Sequence, residues 1–169
     1  MRIGVVGFLL LMTHILEITL LQHIRIGGVL PNLMVVIVIS FSLLRGQKEG
    51  AIIGVVAGLL YDISFGFLIG GRSMTYGLIG YFCGKLNKNF YRENFILPFM
   101  CTVASGLFIS VVPLLRFIML GKINLLFFLR TIIIPELIYT ITVSLVIYQL
   151  TYIINERIET REKRTRNIF

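Results

Sequence analysis

Between Gly4 and Ile154 the chain is apolar with few interruptions, the main polar steps falling at residues 22–28, 45–49, 85–94 and 121–124. That pattern constrains the fold more than any motif does. Hydrophobic residues make up 57% of the 169 residues and charged ones 14%, which leaves more apolar surface than a soluble domain of this length can hide from water. A hydrocarbon core about 30 Å thick takes roughly 20 helical residues per crossing, so the length accommodates about six crossings with short connections. The expected fold is all-α, a polytopic membrane protein of six transmembrane helices. Residues 1–169 form one domain, with a short basic cytoplasmic tail at about 155–169.

The first expected span runs from about Gly4 to Leu21 and carries His14 and Glu17 on one helical face. The second opens near Pro31, where proline suits a helix start, and ends around Leu44. Arg45 to Glu49 reads as a charged loop, the third span then ends at Asp62, and Ile63 to Arg72 reads as a connection. A short fourth span covers about Ser73 to Cys83, and Lys85 to Asn94 forms the next loop. The fifth covers about Phe95 to Leu115, with Pro113 expected to kink or end it. Phe117 to Leu129 is expected to lie in the membrane interface, and the last span runs from about Thr131 to Ile154, with Pro135 and Glu136 in its first turn.

The net charge of +8 suggests nucleic acid only if the setting is ignored, because the basic residues flank the apolar runs as topology signals do. With both termini cytoplasmic, Arg2, Arg45, Lys48, Lys85, Lys88, Arg92, Arg157, Arg161, Lys163, Arg164 and Arg166 lie inside, 11 of the 16 basic residues. Arg25, Arg72, Arg116, Lys122 and Arg130 face outward, a split that obeys the positive-inside rule for six spans. No small-residue cleavage site follows the first run, so the N-terminus is expected to be retained. Cys83 and Cys101 sit in or beside apolar segments and read as packing residues.

Within this frame one stretch stands apart, Gly50 to Gly71. Gly50, Gly54 and Gly58 recur at four-residue spacing, a bare face that lets another backbone approach closely, and they lead to the carboxylate of Asp62. The topology gathers Glu17, Asp62, Arg72, Arg116 and Glu136 toward the outer surface. Charges at that depth are expected to pair, Asp62 with Arg72 or Arg116 with Glu136, or to snorkel to the headgroups. A metal site at His14 or His23 is not expected, since only Glu17 stands at ligand spacing. The glycines lack the Gly-Lys-Ser/Thr ending of a phosphate loop, and no Ser, His and acid combination suggests a nucleophile, so neither an enzyme nor a cofactor is expected.

The Pro31-Asn32-Leu33 opening, the run from Gly50 to Gly-Leu-Leu-Tyr-Asp62, Gly66 and the Gly70-Gly71 pair resemble the rod shape-determining MreD family. The family often carries an acid after this proline, where the present chain has Asn32. The resemblance implies a non-enzymatic subunit of the bacterial elongation machinery in the cytoplasmic membrane. It implies binding of the scaffold MreC and action with MreB, RodA and the cognate transpeptidase in peptidoglycan synthesis and cell shape. It further implies a fold resembling the S-components of energy-coupling-factor vitamin transporters. Such a substrate-binding component is the alternative function, although the Ala-x-x-x-Ala face typical of their first span is replaced here by Val5, Leu9, Thr13 and Glu17.

Overall fold

The computed structural model describes residues 2–19, 30–65, 70–89, 96–119 and 129–166. They form six α-helices, and no strand occurs among the described residues: α1 (Arg2–Thr19), α2 (Leu33–Arg45), α3 (Gln47–Phe65), α4 (Gly71–Lys85), α5 (Ile96–Met119) and α6 (Ile134–Arg166). A 3₁₀ turn, Leu86–Asn89, follows α4, and a π turn, Leu129–Ile133, leads into α6.

The short α2 is the centre of the bundle. Every residue from Leu33 to Leu44 is buried, as befits a helix that is hydrophobic all round, and α1, α3, α4, α5 and α6 all pack against it. At 13 residues it is about 20 Å long, and its jacket of protein means that its ends need not reach both lipid faces. By length and composition, the helical run Leu129–Ile158 alone among the described residues is long and apolar enough to cross a membrane. Gly4–Thr19, Leu33–Arg45 and Ile96–Val111 are shorter apolar helices.

Helices α5 and α6 turn small polar residues inward and large apolar ones outward. On α6 the buried positions are Thr140, Ser144, Tyr148, Thr151 and Asn155, recurring every three or four residues, whereas Ile138, Val146 and Leu150 are exposed. On α5 Cys101, Thr102 and Ser105 are buried while Met100, Leu107 and Phe108 are exposed. A water-soluble helix has the opposite polarity. Small hydroxyl residues facing protein and large aliphatic ones facing out is the arrangement that lipid favours. The hydroxyls of Thr102, Ser144 and Thr151 donate to carbonyls of their own helix, so their inward placement leaves no donor stranded.

Several boundaries differ from the sequence-based expectation for local reasons. Arg45 to Glu49 is not a loop: only Gly46, at φ 93°, breaks the helix, and α3 starts at Gln47. The reversal is held by the Arg45–Glu49 ion pair at 3.2 Å, with Glu49 in the first turn of α3, where a negative charge suits the helix dipole. Helix α3 runs past Asp62 to Phe65, and α4 reaches one turn's fraction beyond each expected end. Pro113 neither ends nor interrupts α5, which continues through Phe117 to Met119. The rest of the expected interfacial segment, residues 120–128, lies outside the described residues. Pro135, which has no N–H to donate, sits just after the π turn at the start of α6. The helix then continues through the basic tail to Arg166.

Candidate functional site

Helices α3 and α4 form the closest pair in the molecule. A Cβ at Gly50 would come within 2.7 Å of the Gly80 carbonyl oxygen. One at Gly54 would overlap the Tyr76 carbonyl, and one at Gly58 the backbone of Arg72 and Ser73. Helix α4 answers with small residues of its own: a Cβ at Gly84 would lie 2.6 Å from Gln47 Cα, and one at Gly80 would overlap the Gly50 carbonyl. The two backbones touch along the whole seam. Spans three and four are the pair expected from the sequence to supply a glycine seam; the glycines named for it are those of α3, whereas Gly77, Gly80 and Gly84 repeat at helical spacing on α4.

At one end of this hairpin Asp62, 2% exposed, turns its carboxylate onto the start of α4. It accepts hydrogen bonds from the backbone N–H of Gly70 at 2.8 Å, of Arg72 at 3.1 Å and of Ser73 at 3.2 Å. The N-cap residue is Gly70, at φ 108° and with no side chain to cap the helix, so a carboxylate from the preceding helix does what a Ser or Asp would do locally. Asp62 therefore meets the backbone of Arg72, not its guanidinium as the expected ion pair required. The guanidinium instead lies over the Tyr61 ring, 4.8 Å from its centroid, and beside the Tyr76 hydroxyl.

Tyr76 is fully buried and carries the second part of the node. Its hydroxyl donates to Asn32 Oδ1 at 3.0 Å and accepts from Asn32 Nδ2 at 2.8 Å. Asn32 is also the N-cap of α2, accepting from Val35 N–H at 3.1 Å, and its own N–H donates to Thr140 Oγ1 on α6 at 3.2 Å. The next amide, Leu33 N–H, donates to Glu17 Oε1 of α1 at 3.2 Å. One short segment thus ties four helices at a single level. Replacing Tyr76 by Phe is expected to cost about 1–2 kcal/mol, because the Asn32 amide then keeps a buried donor without its partner. Thermal unfolding in detergent measures it, and an unchanged midpoint would show that the hydroxyl is idle.

Glu17, Asp62, Arg72 and Glu136 all lie at this end, with Arg72 within electrostatic reach of Glu17 and Glu136. Arg116 belongs to α5, but its side chain, and so its expected pairing with Glu136, lies outside the described residues. His14 meets Ser64 Oγ at 2.7 Å and binds α1 to α3. The sequence reading did not name Tyr61, Tyr76 or Thr140 as site residues. Tyr76 is 44 positions from Asn32 and Thr140 is 108 from it, and no local pattern announces such contacts. The Pro31-Asn32 step before an apolar run was the available signal, since Asn is a favoured N-cap.

The opposite end has its own polar cluster. Arg45 Nε donates to Asn155 Oδ1 at 2.7 Å, its Nη1 to Glu49, and its guanidinium lies 5.7 Å from the Phe41 ring centroid. Asn87 Nδ2 donates to the Leu43 carbonyl in the last turn of α2. Cys83 and Cys101 are buried and unbridged, Cys83 Sγ lying 4.0 Å from Ser105 Oγ.

Among known proteins, a family model described as rod shape-determining protein MreD matches residues 2–157, nearly the whole chain. No curated protein and no solved structure matches it.

Proposed function

The chain belongs to the rod shape-determining MreD family, and from that premise we propose that it is a non-enzymatic membrane subunit of the bacterial elongation complex. It binds the scaffold MreC directly and acts through the complex with MreB, RodA and the cognate transpeptidase to organise peptidoglycan synthesis. The observation that carries this reading is the family match over residues 2–157. The outward display of aliphatic and aromatic side chains, with small polar residues turned inward on α5 and α6, supports a membrane setting. Six crossings with both termini in the cytoplasm fit the basic-residue bias, and the basic end of α6 then lies against anionic headgroups.

The work such a subunit performs is binding. The α3–α4 hairpin is locked backbone to backbone and pinned by Asp62, so it offers a partner helix a surface that does not change shape. Co-expression with MreC and pull-down from solubilised membranes tests the reading, with an assay for bound vitamin on the same preparation. Recovery of MreC in about equal amount is the expected result. A stoichiometric vitamin without MreC would establish the transporter component instead.

A further inference from the structure

Two atoms of the polar node are buried and lack a hydrogen-bond partner among the described residues: Glu17 Oε2 on α1 and Arg72 Nη1 on α4. Their side chains are otherwise engaged. Glu17 is 4% exposed and its other oxygen accepts from Leu33 N–H, while the Arg72 guanidinium is stacked on Tyr61 and flanked by the Tyr76 hydroxyl. The two groups lie within electrostatic reach of one another, yet Oε2 and Nη1 are not bonded to each other, since both atoms would then be satisfied. One is an acceptor and the other a donor. A cation would satisfy Glu17 and be repelled by Arg72, and an anion would do the reverse. A neutral oxygen carrying a hydrogen serves both at once, donating to the carboxylate and accepting from the guanidinium.

We infer that Glu17 and Arg72 hold a single hydroxyl group between them, supplied by an ordered water or by the headgroup of a glycerol- or sugar-bearing lipid, and that this hydroxyl bridges α1 to α4. The surroundings are built for it. Tyr61 and Tyr76 hold the Arg72 guanidinium and the Leu33 N–H holds the Glu17 carboxylate, so the bridging group is received by side chains that are already in place. The bridge also supplies an attachment for α1, which packs less extensively on the bundle than α4 or α6 does. Water or a headgroup hydroxyl can make such a bridge nearly as well as a direct hydrogen bond. The site stands whether or not the chain binds a scaffold protein.

The test is a structure of the full chain grown from a lipidic phase at a resolution that shows ordered water, with native mass spectrometry of the same gently solubilised protein. The expected result is one oxygen peak about 2.7–3.2 Å from both Glu17 Oε2 and Arg72 Nη1. An isolated peak with no added mass identifies water, and a peak continuous with a headgroup together with one retained lipid identifies the lipid. Both outcomes support the site. No peak between the two atoms, or a carboxylate bonded directly to the guanidinium, overturns it. The Glu17→Leu/Arg72→Met double variant removes both polar atoms while filling the space, a replacement that buried charge pairs commonly tolerate. It should lose the peak, or lower lipid retention by about tenfold or more. Undiminished retention of the same lipid would also overturn the assignment.

Discussion

Gly54→Leu is expected to dismantle the α3–α4 hairpin and abolish accumulation of the protein in the membrane. A Cβ there overlaps the carbonyl of Tyr76, and the Cα of Gly77 stands 3.0 Å away, so the obstacle is backbone and not the yielding end of a side chain. To admit leucine the helices must separate along the seam. Separation breaks the close contact at Gly50–Gly80 and Gly58–Ser73 as well, and it draws Ser73 Oγ from the Val55 carbonyl, which it now meets at 3.0 Å. Overpacking a core costs typically about 1–3 kcal/mol where side chains can shift, and a backbone clash lies above that range. Gly7→Leu is the control: among the described residues nothing lies within 4 Å of a Cβ at Gly7, and replacing a helical glycine is worth up to about 1 kcal/mol in propensity. Membrane level and unfolding temperature in detergent report the difference. Equal behaviour of the two variants would mean that the seam is not what holds the hairpin together.

Helix identity was legible in the chain because the apolar runs are long and their punctuation is charged. Helix ends were less so. The Arg45 to Glu49 segment is polar enough to read as a loop, yet a single left-handed glycine makes the whole turn and Gln47 to Glu49 enter the next helix. Pro113 reads as a kink or a stop, and it is not a stop: α5 continues through it to Met119, with Thr102 and Ser110 hydroxyls bonding back to carbonyls of the same helix. The glycine stripe was legible because four-residue spacing maps directly onto a helix face. The α4 residues that meet it are harder to name, since Gly77, Gly80 and Gly84 mix three- and four-residue steps. The node around Asn32 was illegible for a different reason: its contacts close between residues far apart in sequence, and an amide in an apolar run does not disclose which distant tyrosine it meets. Charges drew attention to Glu17 and Arg72, while the neutral groups that position them went unnoticed.

Asp62→Ala is expected to lower stability by about 3 kcal/mol or more, the second large effect, and Asp62→Asn to fall between it and the parent protein. The alanine variant leaves the N–H groups of Gly70, Arg72 and Ser73 without the acceptor they share. Each buried donor stranded in this way costs about 1–3 kcal/mol, and Gly70 has no side chain with which to replace the cap. The carboxylate also opposes the positive end of the α4 dipole, a contribution that asparagine gives up while keeping one acceptor oxygen. The loss does not stay local, because Arg72 lies within the capped turn and its guanidinium position over Tyr61 depends on that turn. Loosening α4 at its start therefore loosens the Tyr76 and Asn32 contacts to α2 and α6. Unfolding midpoints of the two variants, measured beside their ability to restore rod shape and to recover MreC on pull-down, separate the two roles. A variant that regains parental stability through a compensating change elsewhere yet still fails to recover MreC would show that Asp62 shapes the binding surface apart from its effect on stability. An alanine variant as stable as the parent would remove the carboxylate from any pinning role.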